Sequence, residues 1–391
     1  MSDNKLIIAS AGSGKTTYLV RESLARDGSI LILTYTLSNK DVIRRRLIQE
    51  VGCIPANITI QTWFSFLLQH GVKPYQGCLI DSLFDQVIRG MILVNKQSGF
   101  RFNGKNGPVY WGEKDFNRHY FTKDFKIYSD KISKFVFKCN CESDGAVIDR
   151  LSRIYGHIFI DEVQDLAGYD LELIKLLFKS AISTLLVGDP RQVTYLTHLE
   201  RKYRKYQYGK IKSFVENELG KRISCIIDET TLDVSHRCNH AICTYASGLY
   251  TDLPETITCS CCGNTKICHQ GVFLVRPNDL NEYVRKYEVI QLRWDNRREV
   301  LPDIRVMNFG EAKGETFDRV LIYPTNDMAK WVNDSSAKLS DTAKAKFYVA
   351  LTRARYSAAI VIDYENNNTS MLFRNGAQSY PKNRRSTYPV F

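Results

Sequence analysis

Four apolar runs in the first half of the chain, Leu6 to Ala9, Ile30 to Thr34, His157 to Ile160 and Ser183 to Val187, are nearly continuous rather than alternating. Strands buried on both faces read this way, because a parallel sheet covered by helices has no wet side. After Ala9 comes a loop of small residues and then a helix predicted from about Lys15, so the chain opens strand, loop, helix, strand. The runs ending at Ile160 and Val187 lead into turns that carry carboxylates, where an α/β sheet places functional loops. A second series, Ile304 to Asn308, Arg319 to Tyr323 and Ala358 to Ile362, predicts a second sheet of the same kind. The expected fold class is α/β, with two parallel sheets.

At 391 residues the chain exceeds the usual single domain. The patterning divides it into a first lobe, 1–66 with 151–224, and a second, 225–247 with 304–363. Residues 67–150, rich in aromatics and lysines, read as a subdomain inserted in the first lobe. Residues 248–303 read as a short Cys-rich insertion in the second, and 364–391 as a basic, poorly packed tail. No internal repeat is evident.

Composition narrows the class. No apolar stretch is long enough to span a bilayer, and the start lacks the layout of a signal peptide, so a cytoplasmic protein is expected. In that compartment the 11 cysteines are reduced thiols or metal ligands rather than a disulfide framework. A net charge of +12 favours a polyanionic partner.

The chemistry concentrates at three turns. In Ala9 to Thr17, ASAGSGKTT, a strand runs through small residues into a helix, so that backbone N–H groups and the helix N-terminus can face phosphates. Ala11, Gly12, Ser13, Gly14, Lys15, Thr16 and Thr17 are the candidate nucleotide-binding residues. Lys15 would reach the β- and γ-phosphates, and Thr16 would ligate magnesium. The run HIFIDEVQD delivers Asp161 for the magnesium and Glu162 to orient and deprotonate water. Alone, such a pair is more often a helix cap or an acidic turn; its pairing with the phosphate loop favours chemistry. LLVGDPRQVTY places Gln192 where it can sense a γ-phosphate, although Gly-Asp-Pro alone is a common turn.

The order of these motifs resembles the UvrD/Rep-like helicases of superfamily 1A. The resemblance continues through TYTLSNKDVIRRR, ITIQTWFSF, VSHRCNHAI, NFGEAKGETFDRVLIY and FYVALTRAR, the last being the most specific string. It implies two RecA-like lobes of the P-loop NTPase type with inserted subdomains, binding ATP between them with Mg2+. It also implies γ-phosphate contact by Arg237 and an arginine finger at Arg353. His236 stands where the family stacks a tyrosine on adenine, and Gly314 belongs to the fifth motif. Single-stranded DNA contacts fall on Thr34, Tyr35, Thr62, Trp63 and Tyr195. The chain departs from the family in having Thr197 where many relatives have tryptophan, Thr316 where glutamate is usual, and no adenine-reading glutamine segment before the loop.

Outside these motifs, Tyr110, Trp111, His119, Tyr120 and Lys123, and the run Glu200 to Lys212, have the basic-aromatic character of single-strand binders, against a reading as core or as a solvated helix face. Cys259, Cys261, Cys262 and Cys268, with His269, are candidate zinc ligands. Their spacing is not a paired CxxC, and a loop of reduced thiols is the competing reading. The expected function is ATP-driven movement along single-stranded DNA, 3′ to 5′ by resemblance. The alternative is a nucleotide-regulated, DNA-sensing subunit that controls a partner nuclease in a phage-defence (antiviral) or DNA-repair complex without strong unwinding of its own; a nuclease or an ATPase subunit is the expected protein partner.

Overall fold

The computed structural model describes residues 3–198, 201–220, 223–263 and 267–363. The described residues form two compact units: those up to 8, within 15–190 and within 195–229 make the first, and 9–14, 191–194 and those between 230 and 363 the second.

The first unit is built on a six-stranded sheet of β1 (Lys5–Ile8), β2 (Ile30–Thr34), β3 (Ile58–Thr62), β4 (His157–Ile160), β5 (Ser183–Gly188) and β6 (Ile226–Asp228), in the order β6-β1-β5-β4-β2-β3. All neighbours are parallel. β2 is buried at every position, as its unbroken apolar run requires, whereas the edge strand β3 alternates between buried and half-buried positions. Helices α1 (Lys15–Leu24), α2 (Leu37–Val51), α3 (Ile132–Glu142), α4 (Ala146–Ile154) and α5 (Tyr169–Lys179) complete its main elements. α2 starts where the Thr36 side chain accepts from Asn39 N–H and stops at Gly52, whose φ of 78° closes the last turn onto the Ile48 carbonyl.

Residues 67–150, expected as an inserted subdomain, contribute to the core of this same unit. Phe135, Val136 and Cys139 of α3 and Val147 and Leu151 of α4 lie in one apolar cluster with Leu31, Trp63, Ile174 and Leu177. An antiparallel hairpin, Phe100–Gly104 with Gly107–Tyr110, also lies in this range.

The second unit carries a five-stranded sheet of β7 (Gly271–Val275), β8 (Ile290–Arg293), β9 (Val306–Asn308), β10 (Phe317–Ile322) and β11 (Ala354–Val361), in the order β7-β11-β10-β8-β9, again all parallel. α6 (His240–Ser247) and α7 (Asp341–Leu351) are capped by Asn239 and Ser340, whose side chains accept from Ile242 and Ala343 N–H groups.

Two expected boundaries change. The stretch 248–303 is not simply an insertion, because β7 and β8 are strands of the sheet. β6, placed in the second lobe by sequence, pairs with β1 in the first. Both corrections have one cause: GVFLV, IQLR and IID are too short to show a period, and only hydrogen-bond pairing reveals which sheet they join. Among the described residues no helix is long and apolar enough to cross a membrane.

Candidate nucleotide site

In the first unit, β1 and β5 are neighbours, with Ile8 opposite Gly188. The connection from β1 leads toward β2 and that from β5 toward β6 on the other side, so their C-terminal ends form a topological switch point, where α/β sheets open a crevice for ligands. Lys15, Thr16 and Thr17 form the half-buried first turn of α1.

β4 brings Asp161 and Glu162 to the same edge of the sheet, both buried. Asp161 is fixed by its N–H to the Leu33 carbonyl (2.8 Å), and its Oδ1 accepts the Glu162 N–H (2.9 Å). Glu162 has φ 56° and ψ 37°, a left-handed conformation that costs a residue with a Cβ about 1–3 kcal/mol and clusters at functional sites.

Gln164, which the sequence reading did not single out, holds this turn together. Its Nε2 donates to Glu162 Oε2, and its Oε1 accepts the Asp189 N–H (3.1 Å). A Cβ on Gly188 would run into Gln164 Oε1 and stand 2.9 Å from Val163 Cγ1, so a larger residue there would displace this brace. The available signal was a glutamine in an otherwise acidic turn directly after an apolar strand.

The second unit gathers the loop and the cations. Gly12, at φ 76°, lies so close to residues 235–237 that an added Cβ would be 2.6 Å from Arg237 Cβ and 2.8 Å from Ser235 Oγ. His236 N–H donates to the Gly12 carbonyl (2.9 Å), Ser10 N–H donates to the Leu232 carbonyl (2.8 Å), and Ala11 is buried. The Ser13 hydroxyl is also buried and has no hydrogen-bond partner among the described residues. That is an orphaned donor of the kind a phosphate oxygen satisfies.

Arg237 donates to the Thr352 carbonyl (3.2 Å). Arg353, only 1% exposed, donates to the carbonyls of Val349 (3.1 Å) and Glu315 (3.2 Å) and to Gln192 Oε1 (3.3 Å). Gly12, Gln192, Arg237 and Arg353, predicted separately, therefore belong to one assembly. Gly314, also expected here, takes a left-handed φ of 93° in the turn before β10. For a divalent cation, the Thr16 hydroxyl and the buried Asp161 carboxylate are hard oxygen donors of the type magnesium takes.

The expected strand-contacting residues fare differently. Trp63 is 1% exposed and donates its indole N–H to Asp170 Oδ1 (2.7 Å). Thr34 is buried at the end of β2, and Thr62 is buried and caps the following turn by accepting from Ser65 N–H. All three side chains lie in the interior of the unit. Tyr35 is half-buried against Phe64 (5.6 Å), while Tyr195 is exposed.

Asp170 explains Thr197 as well. The buried Asp170 carboxylate accepts hydrogen bonds from Trp63, from Ser133 and from Thr197, and meets His198 Nε2 at 3.1 Å. Burial alone would raise its pKa, but the His198 ring and these hydrogen bonds overcome it and hold the carboxyl below the usual range. Thr197 thus acts as a buried link to Asp170, also accepting Ala167 N–H (3.0 Å).

Of the basic-aromatic candidates, His119 and Tyr120 are buried, Lys123 is exposed, and Trp111 has the guanidinium groups of Arg101 and Arg118 within 4.4 and 4.5 Å of its ring. Tyr110 packs edge-on to Phe100 (6.3 Å). In the run from 200 to 212, Glu200 lies outside the described residues, and Tyr203 and Tyr206 pack on Phe214.

The cysteine cluster is also regrouped. Cys259 and Cys261 converge with His236, not with Cys268 and His269. His269 is stacked between Phe273 (4.0 Å) and Tyr287 (3.8 Å). Burial, with Arg319 and Lys286 nearby, pushes its ring down to about 3. The side chain of Cys262 lies outside the described residues.

Residues 1–198 match the family described as an AAA domain, and residues 146–362 match the viral superfamily 1 RNA helicase core domain. No curated protein matches the chain. Similar solved structures include the arterivirus nonstructural protein 10 helicase (15% identity, 93% of this chain and 60% of that one, TM-score 0.45). Its complex with DNA has 15% identity, 93% and 62% coverage and the same TM-score of 0.45. The PRRSV helicase has 14% identity, 92% and 52% coverage and a TM-score of 0.41. The chain thus spans between 52% and 62% of the length of these helicases. The two family matches cover both units between them, and the chain belongs to the superfamily 1 helicases.

Proposed function

We propose that this chain is a motor that binds ATP with Mg2+ and couples its hydrolysis to movement along single-stranded nucleic acid. The observation that carries this reading is the grouping of Gly12, Gln192, Arg237 and Arg353 in the second unit, two cations beside a phosphate loop and a γ-phosphate sensor. The backbone of Ala11 to Thr17 would cradle the phosphates, with Lys15 on the β- and γ-phosphates. Thr16 and Asp161 would hold the cation, which neutralises developing phosphate charge. Glu162, aimed by Gln164, would accept the proton of the attacking water. Arg237 and Arg353 would stabilise charge spread over the phosphoryl oxygens, an effect on the order of 10³ to 10⁵ in rate when an arginine finger is complete.

The track is single-stranded DNA or RNA. The DNA assignment, the 3′ to 5′ direction and the UvrD/Rep-like subgroup rest on the motif resemblance, whereas the matched family is described as an RNA helicase core. Steady-state ATPase assays with and without single-stranded RNA and DNA, comparing the wild type with Lys15→Ala and Glu162→Gln, test the reading. Stimulation by one polymer and loss of hydrolysis in both variants are expected; variants near wild-type rate would overturn the site assignment.

The burial of Thr34, Thr62 and Trp63 supports a second reading, a nucleotide switch that regulates a partner enzyme such as a nuclease. Slow turnover, indifferent to either polymer, would favour it.

A further inference from the structure

We infer that His236, Cys259 and Cys261 form a zinc site attached to the strand that holds the phosphate loop. The backbone sets the site up before any side chain is considered. Val234–Ser235 and Ile257–Thr258 pair in parallel with Ser235 opposite Thr258, so the next residues along, His236 and Cys259, emerge side by side. Cys259 N–H donates to the Ser235 carbonyl (2.9 Å), and the Thr258 hydroxyl donates to the Cys238 carbonyl (2.6 Å), fixing the register on both flanks.

On this frame one imidazole nitrogen and two sulfurs lie within 4.8 Å of one another, the two sulfurs 2.7 Å apart. Zinc bonds sulfur at about 2.3 Å and imidazole nitrogen at about 2.0–2.1 Å, so tetrahedral neighbours around it stand roughly 3.5 Å apart. Side-chain movements of about an ångström suffice to close the three donors on one ion. The donor set is soft, which disfavours magnesium and calcium and suits zinc. Binding expels two thiol protons, and the two thiolates neutralise the dication at a place where His236 and Cys261 are exposed and Cys259 is buried.

The location gives the ion a consequence. His236 N–H holds the Gly12 carbonyl, and Ser235 and Arg237 leave Gly12 no room for a Cβ. A metal fixing the His236 ring and tying it to residues 259–261 stiffens the backbone against which the phosphate loop rests. This coupling rests on the nucleotide reading above; the metal site itself does not.

Elemental analysis of the purified full chain is expected to find about one zinc per chain. The Cys259→Ser/Cys261→Ser variant is expected to hold almost none, and His236→Ala to bind more weakly. Replacement of the metal by Co2+ in the wild type should give a thiolate-to-cobalt charge-transfer band, an assay that needs no variant to fold. A wild-type chain that carries no zinc and takes none from added Zn2+, or bound Co2+ without that band, overturns the site. Fluorescent-nucleotide titration with zinc present and removed should show roughly tenfold weaker binding without it, within the usual range of coupling between sites. Equal affinities overturn the coupling, and no nucleotide binding with zinc retained would instead sink the ATP reading.

Discussion

The carboxylate cluster of the first unit and the arginine cluster of the second are held in different ways. In the first unit, Glu162 sits in a left-handed conformation and is braced by the side chain of Gln164, which also bonds the Asp189 backbone; a few residues on, Asp170 is fixed mainly by side chains of Trp63, Ser133, Thr197 and His198, with one main-chain donor, the Ala167 N–H (3.4 Å). In the second, Arg353 and Arg237 are fixed mainly by main-chain carbonyls of Val349, Glu315 and Thr352. A carbonyl survives substitution of its residue; a side-chain brace does not. The acidic side should therefore be sensitive to changes in its neighbours, and the arginine side chiefly to changes in the arginines themselves.

The largest expected effect is on the arginine side. Arg353→Lys keeps the charge but loses the planar fork, and hydrolysis should fall on the order of 10³-fold or more while nucleotide still binds. Single-turnover assays beside a binding titration check this, and hydrolysis within tenfold of wild type would remove Arg353 from the reacting centre.

Asp170→Ala comes next. It strands Ser133, Thr197 and His198 around a buried hole, and should cost about 3–5 kcal/mol in denaturant unfolding. Because the folded carboxyl is held low, its contribution is complete above the unfolded value of about 3.9 and is lost as pH falls through the folded one. The wild type should therefore lose more stability than Asp170→Ala on acidification. A cost under about 1 kcal/mol would mean the cluster is not a brace.

The smallest effect sharpens the contrast most directly. Gln164→Ala should lower kcat roughly tenfold with little change in KM, as supporting residues around a reacting group commonly do. Glu315→Ala, which keeps its carbonyl on Arg353, should leave kcat within about twofold. Equal effects of the two changes would erase the distinction.

Much of this was legible in the chain. ILILT and HIFI read as doubly covered strands, and ASAGSGKTT, DEVQD and YVALTRAR mark the candidate site residues by their spacing. What was not legible depended on burial. TWFSF looks like a contact segment, yet nothing in its pattern says that Trp63 faces Asp170, more than a hundred positions away. GVFLV was hidden by being too short to show a period, and Gln164 by standing in an otherwise acidic turn. The regrouping of His236 with Cys259 follows from a two-residue strand pairing too short to leave any periodic trace.

The placing of β7 and β8 also limits how this protein could be edited by evolution or by an engineer. A stretch that is only an insertion can be deleted, lengthened or exchanged between relatives as a cassette. Removing residues 248–303 would take away the edge strand β7 and the strand β8 on which β9 hangs, leaving β9 with no partner. Modular exchange is therefore better aimed at the hairpin Phe100–Gly104 with Gly107–Tyr110, whose strands, among the described residues, pair only with each other.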